Sequence, residues 1–240
     1  FPFSEIYLLH HDKETLLKSL EKICKNPLCS IDDLENLSKE YDNHGFNKES
    51  IETQIKIHQR RPDHKNSVIK IVNNCIGKKD LTEADKYLES YCQSTPQDHA
   101  MKNWRATLLT ANKNIEEARP IFQEVADKFS KETELALDDK KFYIQALYGL
   151  IDTADDRNKS QNITHIQQIL SLDEEQARAW QLKGDICLQL NEPDALDQAI
   201  ECYRCSYKCD PKSPITNLRL ACVHVRKHDF EASKQYLQNI

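Results

Sequence analysis

Proline and alanine recur along this chain at a nearly constant interval. Pro27, Pro62 and Pro96 lie 35 and 34 residues apart, and Ala84 and Ala118 are 34 residues apart. Self-similarity at a fixed period near 34 residues is typical of stacked helical hairpins, in which each hairpin buries its apolar face against the next one. The interval therefore predicts a helical repeat protein.

The residues between these landmarks favour helices over strands. Apolar residues recur at intervals of three and four, as in SVIKIVNNCI, where Val68, Ile71, Val72 and Cys75 share one helical face. Four glycines and eight prolines are few for the turns of a sheet or for a nucleotide-binding loop. A charged fraction of 30% and a mean hydropathy of -0.72 suit an elongated array with much surface. These observations predict an all-α protein.

Candidate caps delimit about a dozen helices. Ser30 followed by Asp33 resembles a capping box, and Thr82 precedes a helical run. Gly45 and Gly77 follow helical patterns, as glycines at helix C-termini do. We therefore expect helices joined by short polar connections.

Composition also limits what the chain does. With 33 basic and 39 acidic residues the net charge is -6, so the overall charge does not attract nucleic acid. No run approaches the roughly 18 apolar residues that span a bilayer. Nine scattered cysteines indicate reduced thiols and a cytoplasmic or nuclear protein. The chain opens without Met or a signal-peptide pattern, so we expect a fragment of a longer protein.

The segment AWQLKGDICLQL, followed by AIECYRCSYKCDP, resembles a tetratricopeptide repeat (TPR). Members of that family carry a Trp, a Leu-Gly pair and a Tyr on a first helix, A, then an Ala and an aromatic residue on a second helix, B, before a closing Pro. Here Trp180, Gly184, Ala199, Tyr203 and Pro211 match that pattern. The departures are Leu182 one place early, Cys187 in place of Tyr, Ser206 in place of Ala, and a longer connection, LNEPDALD.

A weaker match precedes this one. Trp104, Ala118 and Phe122 follow the family pattern, although Ser130 stands where the closing Pro belongs. Pro120 falls inside the expected B helix. The segments LTEADKYLESYCQSTP and HDFEASKQYLQNI resemble further B helices.

The resemblance divides the chain into segments that match the family to different degrees. These are 1–81, divergent helical repeats that share the period but not the motif; 82–130, TPR-like; 131–173, a stretched divergent repeat; and 174–240, TPR. Together they imply one domain over 1–240, a right-handed superhelix (α-solenoid) of about six to seven antiparallel helical hairpins.

The resemblance also implies where a partner binds. Small residues let the A and B helices approach closely, so Gly184 is expected to be a packing residue, and the A helices line a concave surface. The register of the two Trp repeats gives the candidate groove residues as Lys102, Arg105, Leu109, Arg178, Gln181, Asp185 and Leu188, with Asn217 and His224 further along. Their mixture of cationic and apolar groups suits an extended segment with some acidic character.

A chaperone partner is not expected. TPR co-chaperones bind the acidic C-terminal peptides of chaperones through a clamp of Lys and Asn on successive A helices. Asp185 stands where the first clamp Asn would follow Gly184, and the chain ends before a third full repeat.

The cysteines Cys202, Cys205 and Cys209 form the strongest metal-like cluster. Zinc takes four nitrogen or sulfur ligands with spacings like these. The same spacing places all three on one side of a predicted B helix, where Cys serves as a small apolar residue. We favour packing and predict no cofactor; a metal- or redox-sensing module stays an alternative.

The segment KIHQRRPDHK, residues 56–65, is the most basic stretch. Its candidate ligand groups are His58, Arg60, Arg61 and Lys65, which could meet a phosphate backbone. The structural interpretation is a solvated helix end whose cations complement the helix dipole before Pro62. RNA association is therefore the alternative to protein binding.

No arrangement typical of an enzyme appears in the sequence. The histidines do not follow the H-E-x-x-H spacing, and there is no G-x-S-x-G, Walker or dinucleotide-binding motif. We therefore predict a non-catalytic scaffold or adaptor, which binds a partner segment or another subunit of a complex in its concave groove. The identity of the partner and the oligomeric state stay open.

Overall fold

The computed structural model describes residues 13–24, 28–155, 159–189 and 193–240. All regular structure in these residues is helical. The helices are α1 (Lys13–Cys24), α2 (Ile31–Asn43), α3 (Asn47–Arg60), α4 (Lys65–Gly77), α5 (Leu81–Ser94), α6 (His99–Ala111), α7 (Ile115–Phe129), α8 (Leu137–Asp152), α9 (Lys159–Leu172), α10 (Ala177–Gln189), α11 (Ala195–Cys209), α12 (Pro214–Arg226) and α13 (Phe230–Leu237). The all-α prediction is confirmed.

The contacts between helices divide the chain into two compact units, 1–114 and 115–240. The boundary falls inside the TPR-like segment 82–130, between its A helix, α6, and its B helix, α7. In both units consecutive helices pack against each other in the order of the sequence, as expected of helical hairpins joined by short loops.

The first unit has two apolar clusters, one for each of its complete hairpins. One cluster, centred on Leu34, Leu37 and Ile57, joins α2 to α3. The other, which includes Val72 and Leu88, joins α4 to α5 and extends to α6. The helices of residues 28–81 therefore form hairpins of the same kind as the later ones, although they lack the sequence motif.

Small buried residues explain how α2 and α3 approach without that motif. Ser50 lies 34 residues before Ala84, and both are completely buried. The Ser50 hydroxyl lies 2.8 Å from that of Ser38 on α2, and the Lys70 ammonium donates to both hydroxyls, over 2.7 and 3.0 Å. Serine therefore takes the place of the family's alanine or glycine, with hydrogen bonds that satisfy its hydroxyl group.

Helix ends follow the predicted caps only in part. The capping box at Ser30 and Asp33 is confirmed. The cap of α5 is Asp80, which accepts a hydrogen bond from the Glu83 N–H over 3.0 Å, so the prediction of Thr82 was two residues late. Gly77 is the last residue of α4, not the residue beyond it.

The turns after the A helices repeat a left-handed backbone conformation. Gly45, Lys79, Lys113 and His228 have φ between 59° and 79°. The first three are 34 residues apart, and each of the four lies two residues after the last residue of an A helix. This conformation closes the last turn of a helix, so the 34-residue period is present in the backbone even where the motif is absent.

In the second unit an aromatic side chain occupies the space beside a helical glycine. A Cβ atom on Gly184 of α10 would lie 2.5 Å from Cε1 of Tyr203 on α11, and one on Gly149 of α8 would lie 2.4 Å from Cε1 of Phe122 on α7. Tyr203 is 1% exposed. The interpretation of Gly184 as a packing residue is confirmed. Gly149 plays the same part and was not recognised from the sequence.

Two buried histidines make stability depend on pH. His58 and His165 are 6% and 8% exposed, and Nδ1 of each finds no hydrogen-bond partner among the described residues. Burial lowers the pKa of His58 and of His165 below the ordinary value of about 6.5. Their neutral form is therefore favoured in the folded state. The contribution of these two histidines to the free energy of unfolding is complete when the pH is above the ordinary histidine pKa, and it is lost as the pH falls below that pKa.

We expect the free energy of unfolding to decrease between about pH 7.5 and pH 5.5, and to decrease less in His58→Leu, because only the unfolded wild-type chain gains a proton at that site. Urea unfolding at both pH values measures the difference. His228→Asn, which changes an exposed histidine, is the control. An unchanged pH dependence in His58→Leu contradicts the prediction.

Candidate functional site

Helices α10 and α12 are consecutive A helices and can be aligned from their first residues, Ala177 and Pro214. The predicted groove positions of α10 are the second, fifth, ninth and twelfth. The equivalent positions of α12 are Ile215, Leu218, Cys222 and Val225. All four are exposed; Ile215, Leu218 and Val225 have exposed fractions of 54%, 52% and 46%. We call these four residues the apolar stripe.

Three of the four equivalent positions of α10 are polar and already bonded within the protein. Arg178, Gln181 and Asp185 form what we call the polar belt. The Arg178 guanidinium donates to Asp152 over 2.5 Å and lies 4.6 Å from the centre of the Tyr148 ring. These contacts connect α10 to α8. Leu188, the fourth predicted position, packs against the core cluster of α11 and α12.

The other two residues of the polar belt connect α10 to α12. The Gln181 amide donates to the Thr216 hydroxyl over 2.7 Å. The Asp185 carboxylate accepts two hydrogen bonds from the Arg219 guanidinium, over 2.7 and 2.6 Å, and one from the Tyr203 hydroxyl over 2.7 Å. A bidentate pair of this kind fixes orientation as well as distance. The neighbouring A helices are therefore held in one arrangement.

Protonation states reinforce this arrangement. Burial and the hydrogen bond to Asp185 raise the pKa of Tyr203, so its hydroxyl remains a donor. The hydrogen bond to Asp185 also raises the pKa of Arg219, although burial opposes the shift. The Arg219 guanidinium is thus charged across the physiological pH range.

The predicted register of α12 was wrong. Asn217 is completely buried, and its amide donates to the carbonyl oxygens of Pro211 and Ser213. His224 is 6% exposed and stacks on Tyr236. Neither side chain is available to a partner. The exposed positions are Leu218, one residue after Asn217, and Cys222, two residues before His224. The sequence did not show this, because α12 lacks the Trp and Gly that fix the register of α10.

The three groove residues predicted on α6 lie in the first unit and are mostly buried. Lys102 and Leu109 are 7% and 2% exposed. Arg105 pairs with Asp85 over 2.8 Å and with Glu89 over 3.3 Å, and only 15% of its side chain is exposed. These three residues therefore offer little surface to a partner.

The four candidate side chains of the basic stretch 56–65 all have partners within the protein. His58 is buried against Tyr87, and the Arg60 guanidinium donates to the Cys29 carbonyl over 2.6 Å. Ion pairs hold Arg61 to Asp63 and Lys65 to Asp98. Four side chains that the sequence grouped together therefore have four different local partners, which leaves less of their charge for a phosphate backbone.

The three cysteines of α11 differ in exposure. Cys202 is buried, Cys205 is half-buried and Cys209 is exposed. Burial raises the pKa of Cys202 to about 12, whereas a zinc ligand must be a thiolate. Within the described residues, no three His, Cys, Asp or Glu side chains are arranged to hold a metal ion.

A helix that crosses a bilayer needs about 20 consecutive, predominantly apolar residues. Among the described helices, none combines the length and the apolar character needed to cross a membrane.

The fold is similar to that of several solved TPR structures. PilF of Pseudomonas aeruginosa has a TM-score of 0.63 at 14% identity, covering 86% of this chain and 88% of that one. A tetratricopeptide repeat protein of Parabacteroides merdae has a TM-score of 0.55 at 11% identity, with 94% and 90% covered. MamA of Desulfovibrio magneticus has a TM-score of 0.52 at 16% identity, with 71% and 89% covered.

The sequence itself gives no such match. Neither a protein-family model nor a curated protein sequence matches it. The likeness to solved structures, at identities of 11 to 16%, concerns the fold alone. Together with the helical hairpins, the glycine–aromatic packing and the 34-residue period, it shows that the chain has a divergent tetratricopeptide-repeat-like fold.

Proposed function

We propose that the protein is a non-catalytic scaffold that binds a segment of a partner protein along the A-helix face of α10 and α12. The observation that carries this proposal is the apolar stripe. Four apolar side chains at helical spacing are exposed on a helix whose other side is buried, and three of the four equivalent residues of α10 are polar. A contiguous apolar surface bordered by polar groups is typical of a protein interface.

The surroundings of the stripe support the same function. The polar belt is satisfied by internal hydrogen bonds, so it forms a fixed polar border rather than a set of reactive groups. The cysteine side chains that the structure describes are free thiols, which favours a reducing compartment, the cytoplasm or the nucleus. We propose that the chain serves there as a subunit of a complex.

The test compares wild type with the double variant Leu218→Asp/Val225→Asp, which places two charges in the stripe. Proteins retained from a lysate by the wild type are identified, and the purified candidate is then titrated against each variant by calorimetry. We expect the double variant to weaken binding at least about 100-fold, because burying each apolar side chain contributes about 1.5–3 kcal/mol.

The control is Leu137→Asp on α8, a position that is 72% exposed and lies outside the stripe. Substitutions at exposed sites change stability by less than about 0.5 kcal/mol, which circular dichroism and thermal unfolding verify. A partner that binds the double variant as tightly as the wild type would refute the proposal.

A further inference from the structure

We propose that the partner segment docks on the apolar stripe as an amphipathic helix whose apolar side is flanked by carboxylates. This inference rests on the function proposed above and specifies the conformation and the charge of the segment. It differs from the extended segment expected from the sequence.

The spacing of the stripe favours a helical partner. Ile215, Leu218, Cys222 and Val225 follow one another at intervals of three, four and three residues, over about 15 Å of helix axis. Such a row packs into the grooves of a second helix, whose side chains repeat at the same intervals. An extended segment instead presents one side chain to a surface about every 6.6 Å, which does not match the shorter steps along the stripe.

The sizes of the side chains in the apolar stripe also favour a helical partner. Cys222 is the smallest member of the stripe and stands between the larger Leu218 and Val225. A small residue between two large ones leaves a recess, into which a single large apolar side chain of a facing helix fits. Leu220 and Val223 on the opposite side of α12 are buried in the core, so the helix that carries the recess is held in place.

The positive charge around the apolar stripe favours a partner helix with acidic residues on its flanks. The segment Pro214–Arg226 contains no Asp or Glu. Arg219 is neutralised by Asp185, but none of the described carboxylates pairs with Arg226 at one end of the stripe or with Lys212 just before the other. Both of these cations are exposed. Glutamates or aspartates beside the apolar row of the partner would pair with them, while lysines would be repelled.

The net charge of -6 on the whole chain does not oppose this local selection. At physiological ionic strength, charges interact over about 8 Å. The distance between the two ends of the stripe is about twice that length, so each end of the partner responds mainly to the nearest cation.

Three synthetic peptides of about 18 residues, long enough to form an isolated helix, test the inference. The first carries leucines at intervals of three and four with glutamates on both flanks. The second has lysines in place of the glutamates, and the third has the composition of the first with its leucines scrambled. Fluorescence anisotropy measures binding of each labelled peptide to the 240-residue chain, and circular dichroism measures the helix content of the bound peptide.

We expect the first peptide to bind at least about ten-fold more tightly than either of the others, with a preference over the second that falls as salt is added. Its helix content should rise on binding. Leu218→Asp/Val225→Asp should weaken its binding about ten-fold or more, and Lys212→Glu/Arg226→Glu should reverse the preference between the first two peptides. Lys234→Glu, at an exposed lysine of α13, is the matched control and should change neither result.

Equal binding of the first two peptides overturns the acidic assignment, and equal binding of the first and the scrambled peptide overturns the helical one. Dimerisation of the chain that is abolished by Leu218→Asp/Val225→Asp, measured by sedimentation, overturns the inference because a second copy would then cover the stripe. If the lysate partner requires the stripe but the peptides show no preference, only the present inference fails; if neither requires it, the proposed function fails as well.

Discussion

Replacing Tyr203 with alanine is expected to lower the free energy of unfolding by about 3–5 kcal/mol. The ring is 1% exposed and fills the space beside Gly184. Because Gly184 has no side chain, it cannot fill any part of the cavity that the substitution leaves. The variant also removes the hydroxyl that donates to Asp185 over 2.7 Å. Urea unfolding followed by circular dichroism measures the loss.

Tyr203→Phe separates the two contributions of this side chain. It keeps the ring and removes only one of the hydrogen bonds that Asp185 accepts, while Arg219 still donates two. We therefore expect a loss of about 1 kcal/mol. If Tyr203→Ala cost no more than Tyr203→Phe, the ring would not be the element that holds α10 against α11.

Adding a single methyl group at Gly184 is expected to lower the free energy of unfolding by about 1–3 kcal/mol. A Cβ at this position would lie 2.5 Å from Cε1 of Tyr203, and the ring is almost completely buried, so any movement away from the Cβ must displace other core side chains. In an unobstructed helix the same change would stabilise the fold by up to about 1 kcal/mol. The sign of the measured effect therefore reports the close approach of α10 and α11.

Gly77→Ala is the matched control, because no atom lies within 4 Å of a Cβ built on that glycine of α4. We expect it to stabilise the protein by about 0.5–1 kcal/mol. The double variant Gly184→Ala/Tyr203→Leu should be more stable than the sum of its single changes implies, since the smaller side chain removes the clash. A Gly184→Ala protein as stable as Gly77→Ala would show that the two helices are further apart than described.

The hairpin that contains Gly184 and Tyr203 could be predicted because its landmarks are unusual residues. Trp and Gly in one helix and an aromatic residue in the next identify which faces meet. Where Ser38 and Ser50 take the small positions, the same packing has no distinctive sequence, since serine is common at surfaces and helix caps. The fold of α2 and α3 was therefore predicted from the period and not from the motif.

The candidate site was harder to predict, because it depends on the register of one helix and on which charges are paired. A shift of one or two residues moved the expected groove positions of α12 from its exposed side to its buried side, as Asn217 and His224 show. The pairing of charges nevertheless has a signal in the sequence. Arg219 lies 34 residues after Asp185, and Asp98 lies 33 residues after Lys65. Residues about 33 to 35 positions apart lie on neighbouring A helices or at their ends, so opposite charges at that separation are candidate pairs.

The polar belt also has a consequence for how a partner would be bound. Association loses free energy when surface side chains and neighbouring helices must be ordered at the moment of contact. Hydrogen bonds from Gln181 to Thr216 and from Arg219 to Asp185 hold α10 and α12 together before any partner arrives. The proposed binding surface is therefore preorganised, so the entropy lost on binding the proposed segment falls mainly on that segment. A partner that is already helical when free should gain affinity chiefly through slower dissociation.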